Sequence, residues 1–341
     1  MKLLIAGAGF IVSDFLPITK DLPKTDIVGI TGTPNDLDQM KEYQNKYHIE
    51  ECFTDYDQAL KETAADTAYV AVPNFLHYAF TKKALEAGKN VICEKPFTVK
   101  YDEFRKLKNL AEEKKLILVE AITNQYLTNY KVLKDHLSDL GQIKIVSMNY
   151  SQYSHRYDAF KQGKILPVFD PKKGGGALMD LNIYNIHFIV GLLGMPKSVE
   201  YKANIERGID TSGVLNLDYG NFKAVLIAAK DCAAPVNSLI EGDEGTIQVD
   251  GPANVMDSFD IFKDQDKTHI DEKVYPHRMY EEFRAFEKMI DDHDLVKDKE
   301  ALDHSDQVMQ VVQKAIAIDL VTQTNNCGIG CVRFFSQICN C

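Results

Sequence analysis

The fold of this chain is constrained most by the alternation of short apolar runs with helix-forming segments over its first 120 residues. β-Branched and apolar residues beside turn residues predict strands at 3–6, 27–31, 68–72, 90–93 and 117–120. Apolar residues at helical spacing predict helices at 36–47, 76–87 and 101–114. Strands that alternate with helices are joined by right-handed crossovers, so we predict an α/β domain with a parallel, doubly wound sheet.

A different pattern begins after residue 123. Strands are predicted at 143–153, 198–205, 214–219, 222–229, 238–241 and 246–249, several of them joined by connections short enough for antiparallel hairpins. Helices are predicted at 130–138, 178–193, 278–290 and 305–318. We therefore divide the chain into a nucleotide-binding α/β domain (1–123), an α+β domain on an antiparallel sheet (124–324) and a tail (325–341).

Charge and composition exclude several classes of protein. Lys and Arg number 39 against 50 Asp and Glu, a formal net charge of −11 that repels phosphate backbones, and no basic stripe interrupts it. The apolar run at residues 3–12 could be a short signal peptide, but Gly7 and Gly9 interrupt it as a strand-to-helix turn would. No later segment reaches the ~18 apolar residues needed to cross a bilayer. We expect a soluble cytoplasmic protein that binds neither nucleic acid nor membrane.

The seven cysteines fall into two groups. Cys52, Cys93 and Cys232 are dispersed, as the reduced thiols of a cytosolic enzyme are. The other four crowd into the tail, and their spacing, without a nearby histidine, fits no zinc motif. They are Cys327, Cys331, Cys339 and Cys341. We predict no metal site, and a tail that is either disordered or of non-native origin.

Gly7 and Gly9 follow the first predicted strand, and Phe10 and Ile11 begin the helix after it. Two glycines here allow a tight turn and a close approach to a pyrophosphate, whose charge the helix N-terminus stabilises. The third glycine of the strict dinucleotide fingerprint is replaced by Val12. An ordinary strand-to-helix turn is the alternative, but its position in a βαβ pattern favours a dinucleotide cofactor.

The end of the second strand usually distinguishes NAD from NADP. NAD-binding domains place a carboxylate there for the ribose, whereas an arginine accommodates the 2′-phosphate of NADP. Neither residue stands between Thr31 and Thr33, where this chain has Gly32. The cofactor is therefore predicted to be NAD or NADP, with modest discrimination between the two.

Two further loops follow the third and fourth predicted strands, where open α/β sheets bind their ligands. The first loop contains Pro73, Asn74 and His77, and the second contains Glu94 and Lys95. An acidic residue beside a lysine is usually an exposed ion pair. A lysine directly after a buried strand can instead be desolvated, which would lower the pKa of its ammonium toward use as a general acid.

The helix predicted at 178–193 follows a run of three glycines and carries Asp180, Tyr184 and His187. At about 100° per residue these three side chains share one arc of the helix surface. Three hydrogen-bonding groups on one stripe favour a functional site. The alternative remains open that Asp180 caps the helix while Tyr184 and His187 are satisfied polar groups of the core.

These motifs, in this order and at these distances, resemble the glucose-fructose oxidoreductase, inositol dehydrogenase and rhizopine-catabolism (Gfo/Idh/MocA) oxidoreductases. The resemblance covers roughly residues 1–318 and includes the Glu94-Lys95-Pro96 sequence. It implies an N-terminal Rossmann domain that binds NAD or NADP, and an open C-terminal antiparallel sheet that often serves oligomerisation. A homo-oligomer, dimer or tetramer, and a cis peptide bond between Lys95 and Pro96 are the corresponding expectations.

The resemblance also implies roles for individual residues. It places Lys95 and Asp180 beside the reacting hydroxyl and His187 at a substrate contact. Tyr184, where histidine is commoner in the family, would be the proton donor, with a pKa expected to fall beside the lysine ammonium. The implied cofactor-binding residues are Gly7, Gly9, Phe10, Ile11, Thr31, Thr33, Pro73, Asn74, His77, Glu94 and Lys95.

The sequence thus predicts an NAD(P)-dependent oxidoreductase. It would transfer a hydride between nicotinamide and a carbinol carbon of a sugar, polyol or dihydrodiol-like substrate. One alternative is a non-catalytic, dinucleotide-binding regulatory protein, which the joint presence of Lys95, Asp180 and Tyr184 disfavours. The other is an enzyme that cleaves glycosides by transient oxidation with a retained cofactor.

Overall fold

The computed structural model describes the backbone of residues 1–326 and the side chains of residues 1–317. The four cysteines of the predicted tail, and the prediction that this tail is disordered or non-native, lie outside the described residues.

The N-terminal part of the chain forms a sheet of six strands in the order β3-β2-β1-β4-β5-β6, and every neighbouring pair is parallel. Its strands are β1 (Lys2–Ala6), β2 (Asp26–Thr31), β3 (Glu51–Phe53), β4 (Thr67–Val70), β5 (Asn90–Glu94) and β6 (Leu118–Ala121). Its helices are α1 (Phe10–Phe15), α2 (Leu37–Tyr47), α3 (Tyr56–Glu62), α4 (His77–Glu86) and α5 (Tyr101–Lys114). The predicted doubly wound sheet is confirmed; β3 and α3, which are short, were missed.

The strand order of this sheet fixes where a ligand can bind. The chain runs outward from β1 through β2 to β3, then returns to β4 on the other side of β1. Ligands of doubly wound sheets bind at such a reversal, outside the carboxyl ends of the strands. The turn after β1 and the loop after β4 therefore face the same crevice.

The second sheet has eight strands in the order β14-β13-β12-β11-β7-β10-β9-β8. Its strands are β7 (Ile143–Ser151), β8 (Ser198–Glu206), β9 (Ile209–Asp218), β10 (Lys223–Ala229), β11 (Asn237–Gly242), β12 (Thr246–Asp250), β13 (Ser258–Lys263) and β14 (Asp266–Ile270). Every pair is antiparallel except β7–β10, which is parallel, and the sheet is open at β14 and β8. The predicted open sheet is confirmed. The exposed, polar β14 lacks the apolar alternation that identifies a strand.

Helices pack against the second sheet, among them α6 (Thr128–Asp135) beside β13 and α8 (Ile183–Leu193) beside β7. Helix α7 (His155–Lys161) packs beside the short turn Pro167–Phe169. The segment Pro171–Leu193 is long and apolar enough to cross a membrane by length and composition, but 72% of its most apolar window is buried inside the protein. It is the central core helix of this domain, packed among residues such as Leu215 and Leu226.

The chain finally returns to the first sheet. Helix α9 (Met279–Asp291) places Phe283 and Phe286 in the same apolar core as Leu3 and Ile5 of β1. Helix α10 (Leu295–Asn326), which begins ten residues earlier than predicted, contacts elements of both sheets, including β6 and β8. The last described helices therefore connect the domain of the first sheet with the domain of the second sheet.

We expect Phe283→Ala to destabilise the protein by about 3–5 kcal/mol, the usual cost of removing a buried aromatic ring. Phe283 has no exposed surface, and its ring centroid lies 4.2 Å from that of Phe15 and 5.2 Å from that of Tyr69. Denaturant unfolding measures the change. Val296→Ala, at a side chain that is 70% exposed, is the control and should stay close to the parent.

Candidate active site

A cleft of about 610 Å³ opens at the carboxyl ends of the first sheet, between this sheet and the second domain. One wall consists of the turn after β1 and the loops after β4 and β5. The opposite wall comes from the beginning of α8 and the ends of β7 and β10. The volume lies in the range of small-molecule and cofactor sites.

The turn after β1 is shaped for a close approach of another group. Gly7 has a φ of +118°, and a Cβ added there would lie 2.4 Å from the carbonyl oxygen of Ala71. Gly9 caps α1 with no side-chain hydrogen bond, and a Cβ added there would meet nothing within 4 Å. The first turn of α1 is therefore open to a ligand along the backbone, as a dinucleotide pyrophosphate requires.

Phe10 and Ile11 line the cleft directly above this turn. Phe10 is 77% exposed, so its ring forms an open apolar surface at the edge of the cleft. A bound dinucleotide would cover this surface. The open first turn of α1 and the exposed ring thus fit the cofactor that the sequence predicts.

The end of β2 carries a carboxylate that the sequence analysis did not find. The backbone oxygen of Thr31 accepts a hydrogen bond from Gly7 at 2.8 Å. Both the amide and the hydroxyl of Thr33 donate to Asp36, at 2.8 and 2.6 Å. A short 3-10 turn thereby folds Asp36 back to within contact of Gly32. The prediction that this end of β2 has no charged group is wrong, because the carboxylate arrives three residues after Thr33.

The loop after β4 is joined to its neighbours by two side chains. His77 is 1% exposed, and its ring nitrogens lie 2.9 Å from the carbonyl oxygens of Val72 and Pro96. The amide of Asn74, beside Pro73, donates to the carbonyl of Gly174 at 2.9 Å. His77 therefore holds two loops of the first domain together, while Asn74 connects that domain to the second.

Lys95 follows β5 and crosses the cleft. Its ammonium donates to the backbone oxygen of Asp180 at 3.0 Å and to the carboxylate Oδ1 at 3.3 Å, and it lies 4.6 Å from the ring centroid of Tyr184. The Lys95–Pro96 peptide is cis, as expected. Glu94, next to it, accepts a hydrogen bond from the Tyr69 hydroxyl at 2.6 Å and is almost fully buried.

Asp180 is held by a second lysine that the sequence analysis missed. The ammonium of Lys230 lies 2.8 Å from Asp180 Oδ2 and donates to the carbonyl of Val168 at 2.8 Å. Lys230 directly follows the apolar strand β10, just as Lys95 follows β5. The position of a lysine directly after an apolar strand would have indicated Lys230 as well as Lys95.

The glycine run before Asp180 has a steric explanation. Gly176 has a φ of +106°, and a Cβ added there would lie 1.9 Å from Oδ1 of Asp210. The other oxygen of Asp210 accepts hydrogen bonds from the Leu178 amide and the Tyr201 hydroxyl, both at 2.7 Å. This buried carboxylate fixes the start of the helical segment that carries Asp180.

The charges around Asp180 overturn two expectations about pKa. Burial by itself would lower the pKa of Lys95, but the neighbouring acidic groups Tyr184, Asp180 and Glu94 hold it above its ordinary value. Burial raises the pKa of Tyr184, and the Lys95 ammonium offsets this only in part. Burial also opposes ionisation of Asp180, yet Lys95 and Lys230 hold its pKa well below the usual range. Lys95 and Tyr184 are thus protonated, and Asp180 is ionised, at neutral pH.

His187 does not reach the cleft, which corrects its predicted place beside Asp180 and Tyr184. The segment Leu178–Asn182 is a π-helical turn, whose wider i→i+5 geometry changes the angular spacing assumed from the sequence. The ring of His187 has no exposed surface; it lies 2.9 Å from His304 and 3.5 Å from Glu120. His187 is thus a core residue, but it is not fully satisfied, because its Nε2 has no hydrogen-bond partner among the described residues. A direct substrate contact is not supported.

Several further side chains line the cleft that sequence patterns did not indicate. They come from β7 and the segment after it, from the loop after β12 and from the residue before α9: Tyr150, Gln152, His155, Arg156, Asn254 and Arg278. Arg278 is paired with Asp14 at 2.5 Å. Only tertiary packing brings these distant positions to one cavity.

Two family models match the chain. The oxidoreductase family with an NAD-binding Rossmann fold matches residues 1–122, and the Gfo/Idh/MocA C-terminal domain matches residues 136–248. The protein therefore belongs to the Gfo/Idh/MocA oxidoreductase family, which confirms the resemblance noted from its motifs. The family confirms an NAD(P)-binding oxidoreductase.

Individual relatives agree with this assignment. The chain is 32% identical over 253 residues to the scyllo-inositol 2-dehydrogenase (NADP(+)) IolU of Bacillus subtilis, covering 73% of this chain and 76% of that protein. It is 27% identical over 251 residues to the trans-1,2-dihydrobenzene-1,2-diol dehydrogenase of Xenopus tropicalis, covering 72% and 74%. The 3-ketoreductase KijD10 of Actinomadura kijaniata, in complex with NADP and TDP-benzene, shares the fold with a TM-score of 0.83 at 21% identity, covering 93% and 97%.

We expect Gly9→Ala to weaken NAD(P)H binding at least about tenfold while leaving the free energy of unfolding within about 0.5 kcal/mol of the parent. Gly9 has an ordinary φ of −80°, so alanine fits the backbone, but the new methyl group enters the open space above α1. Fluorescence titration with NADPH and NADH measures affinity. Gly7→Ala should lose stability as well, because its methyl group would collide with Ala71; equal behaviour of the two variants would contradict this account.

Proposed function

We propose that this protein oxidises the carbinol of a sugar, polyol or dihydrodiol-like compound, or reduces the corresponding carbonyl, in the cleft between its two domains. The observation that carries the proposal is the meeting of Lys95 with Asp180 and Tyr184 across the cleft. Two relatives, named as an inositol dehydrogenase and a dihydrodiol dehydrogenase, support this range of substrates. Bound nicotinamide supplies or accepts the hydride.

Lys95 and Tyr184 divide the handling of the reacting oxygen. Tyr184 is 7% exposed, and among the described residues its hydroxyl has no hydrogen-bond partner, so it is free to meet a substrate. In reduction, negative charge develops on the carbonyl oxygen; the Lys95 ammonium stabilises it and the Tyr184 phenol donates the proton. Oxidation reverses these steps. Asp180, ionised between two lysines, orients Lys95 and can accept a hydrogen bond from a neighbouring substrate hydroxyl.

Three broader features complete the proposal. We propose that the enzyme is cytoplasmic. We also propose domain boundaries near residues 123 and 324. Helix α9 belongs to the second domain by this division, but it packs against the first sheet. We also propose a homo-oligomer, dimer or tetramer, formed through the open sheet. This is supported by partly exposed apolar residues on its strands, such as Ile145 and Ile205, which are 44% and 39% exposed.

We expect Lys95→Ala to lower kcat by about 10²–10⁴-fold, the usual range for a group that acts on the proton and charge of the transition state. Tyr184→Phe should cost nearly as much, and Tyr184→His should restore part of the loss by supplying another donor. Stopped-flow measurements with NADPH and a panel of inososes, aldoses and diketones give kcat and KM. Lys106→Ala, an exposed lysine on α5 remote from the cleft, is the control. An unchanged kcat in Tyr184→Phe would assign the proton to another group.

The raised pKa values of Lys95 and Tyr184 predict the pH dependence of reduction. A raised pKa means that the proton is retained to higher pH, so both groups stay competent through neutrality, and kcat should be flat from about pH 6 to 9. Tyr184→His should introduce a decline as pH rises through about 6.5, where a histidine donor loses its proton. A parent enzyme that loses activity between pH 6 and 8 would contradict the assigned protonation states.

A further inference from the structure

A second cavity, of about 300 Å³, adjoins the active-site cleft. Asn74 and Arg156 line both cavities, so the two adjoin at these residues. Apolar residues of the segment before the glycine run, Leu166 to Val168, form one wall. Among the described residues, Arg156 and Lys173 are the charged side chains that line this side cavity, and none of its lining residues is acidic.

The guanidinium of Arg156 has no partner among the described residues. It makes no hydrogen bond, ion pair or ring contact with them, although its neighbour Asp158 is paired with Lys161 at 2.8 Å. The other arginine of the cleft, Arg278, is paired with Asp14. Arg156 is exposed to solvent, so its guanidinium is available to a ligand in either cavity.

The surrounding charges also favour an anion. The ammonium of Lys173 lies 3.7 Å from the Asp170 carboxylate, a loose pair, and the Lys173 side chain is 41% exposed. In the cleft itself, Asp180 lies between the ammonium groups of Lys95 and Lys230, which leaves one net positive charge on that group of three. An anionic ligand would therefore meet Arg156 and Lys173 in the side cavity. In the cleft it would meet the two lysines around Asp180, which Glu94 opposes with a further carboxyl group.

We propose that the substrate is an anionic sugar or polyol, with a phosphate or carboxylate group bound by Arg156 in the side cavity. The guanidinium offers paired N–H donors that match both groups, and Lys173 adds a second cation. The carbinol then lies beside Lys95 and Tyr184. This assignment rests on the proposed function and names the class of its substrate. The cofactor pyrophosphate is expected at the turn after β1, and the effect of Arg156→Ala on the KM of NAD(P)H distinguishes a cofactor contact from a substrate contact.

The test compares matched neutral and anionic compounds in the full-length protein. The pairs are glucose with glucose 6-phosphate, glucose with glucuronate, and myo-inositol with an inositol monophosphate, each with NAD and NADP. We expect the KM of the anionic member to be about ten- to a hundredfold lower, as a charge-assisted contact gives. Raising the ionic strength should weaken this preference selectively.

Substitution of the guanidinium separates the side cavity from general effects. Arg156→Ala should raise the KM of the anionic member at least about tenfold more than that of its neutral partner. Arg156→Lys, which keeps the charge but loses the paired donors, should give an intermediate value. Lys164→Ala removes a charge from the same segment without lining either cavity, and should leave the preference intact. Phosphate and carboxylate compounds together show which anion the cavity prefers.

Three outcomes would overturn the assignment. Equal KM values for neutral and anionic members would exclude an anionic substrate while leaving the proposed oxidoreductase function in place. An Arg156→Ala effect on the KM of NAD(P)H, equal for all substrates, would assign the guanidinium to the cofactor. If no compound is turned over, calorimetry with NADPH bound compares the binding of glucose 6-phosphate with that of glucose. Equal affinity for the two compounds would refute the proposal that the side cavity binds the anionic group. Affinity for glucose 6-phosphate that is unchanged in Arg156→Ala would refute it too.

Discussion

The arrangement of the cleft depends on the pairing of one carboxylate with two ammonium groups. Asp180 lies 3.3 Å from Lys95 and 2.8 Å from Lys230. Lys230 is 2% exposed, and a charge so far from water is tolerated only with a close partner and further hydrogen bonds. Lys95 belongs to the first domain and Lys230 to the second, so the same carboxylate both neutralises buried charge and connects the two domains.

The position of Lys95 is supported from behind by residues distant in sequence. The buried carboxylate of Glu120 accepts hydrogen bonds from the Phe97 amide at 3.0 Å and from the Ser305 hydroxyl at 2.6 Å. His187 lies on the same carboxylate. The loop that presents Lys95 is therefore held by β6, by the middle of α8 and by α10. A histidine that does not touch the cleft still contributes to its shape.

The electrostatics of the cleft separate the roles of its groups. Two lysines keep Asp180 ionised, whereas burial keeps the Tyr184 phenol protonated. A neutral phenol beside an ammonium is suited to give a proton to an oxygen that is becoming negative. The same two lysines give the group a net positive charge, which Arg156 extends toward the side cavity. Proton donation thus depends on the burial of the phenol, whereas the proposed selection of an anionic substrate depends on the cationic side chains.

Local sequence patterns were sufficient to predict the elements and site residues that are recognised from their neighbours in the chain. Alternating apolar runs and helices identified the parallel sheet, and Gly7, Gly9, Lys95 and Asp180 were found because each follows a strand or a glycine run. Lys230, directly after β10, and Asp36, shortly after β2, also follow strands, but the sequence analysis did not identify them. Short or polar elements such as β3 and β14 were missed, since too few residues carry their pattern.

Tertiary structure decided the rest of the site. Even helical spacing placed His187 with Asp180 and Tyr184, but the π-helical turn, fixed by Asp210 more than twenty residues away, altered that spacing. The pKa values of Lys95 and Tyr184 moved opposite to expectation, because burial and neighbouring charge depend on residues from three separate segments. The sequence by itself determined the parallel, doubly wound sheet, the cofactor turn and the catalytic candidates Lys95 and Tyr184. Packing alone determined which side chains share the cleft and which charge each carries, because both depend on distances between segments far apart in the chain.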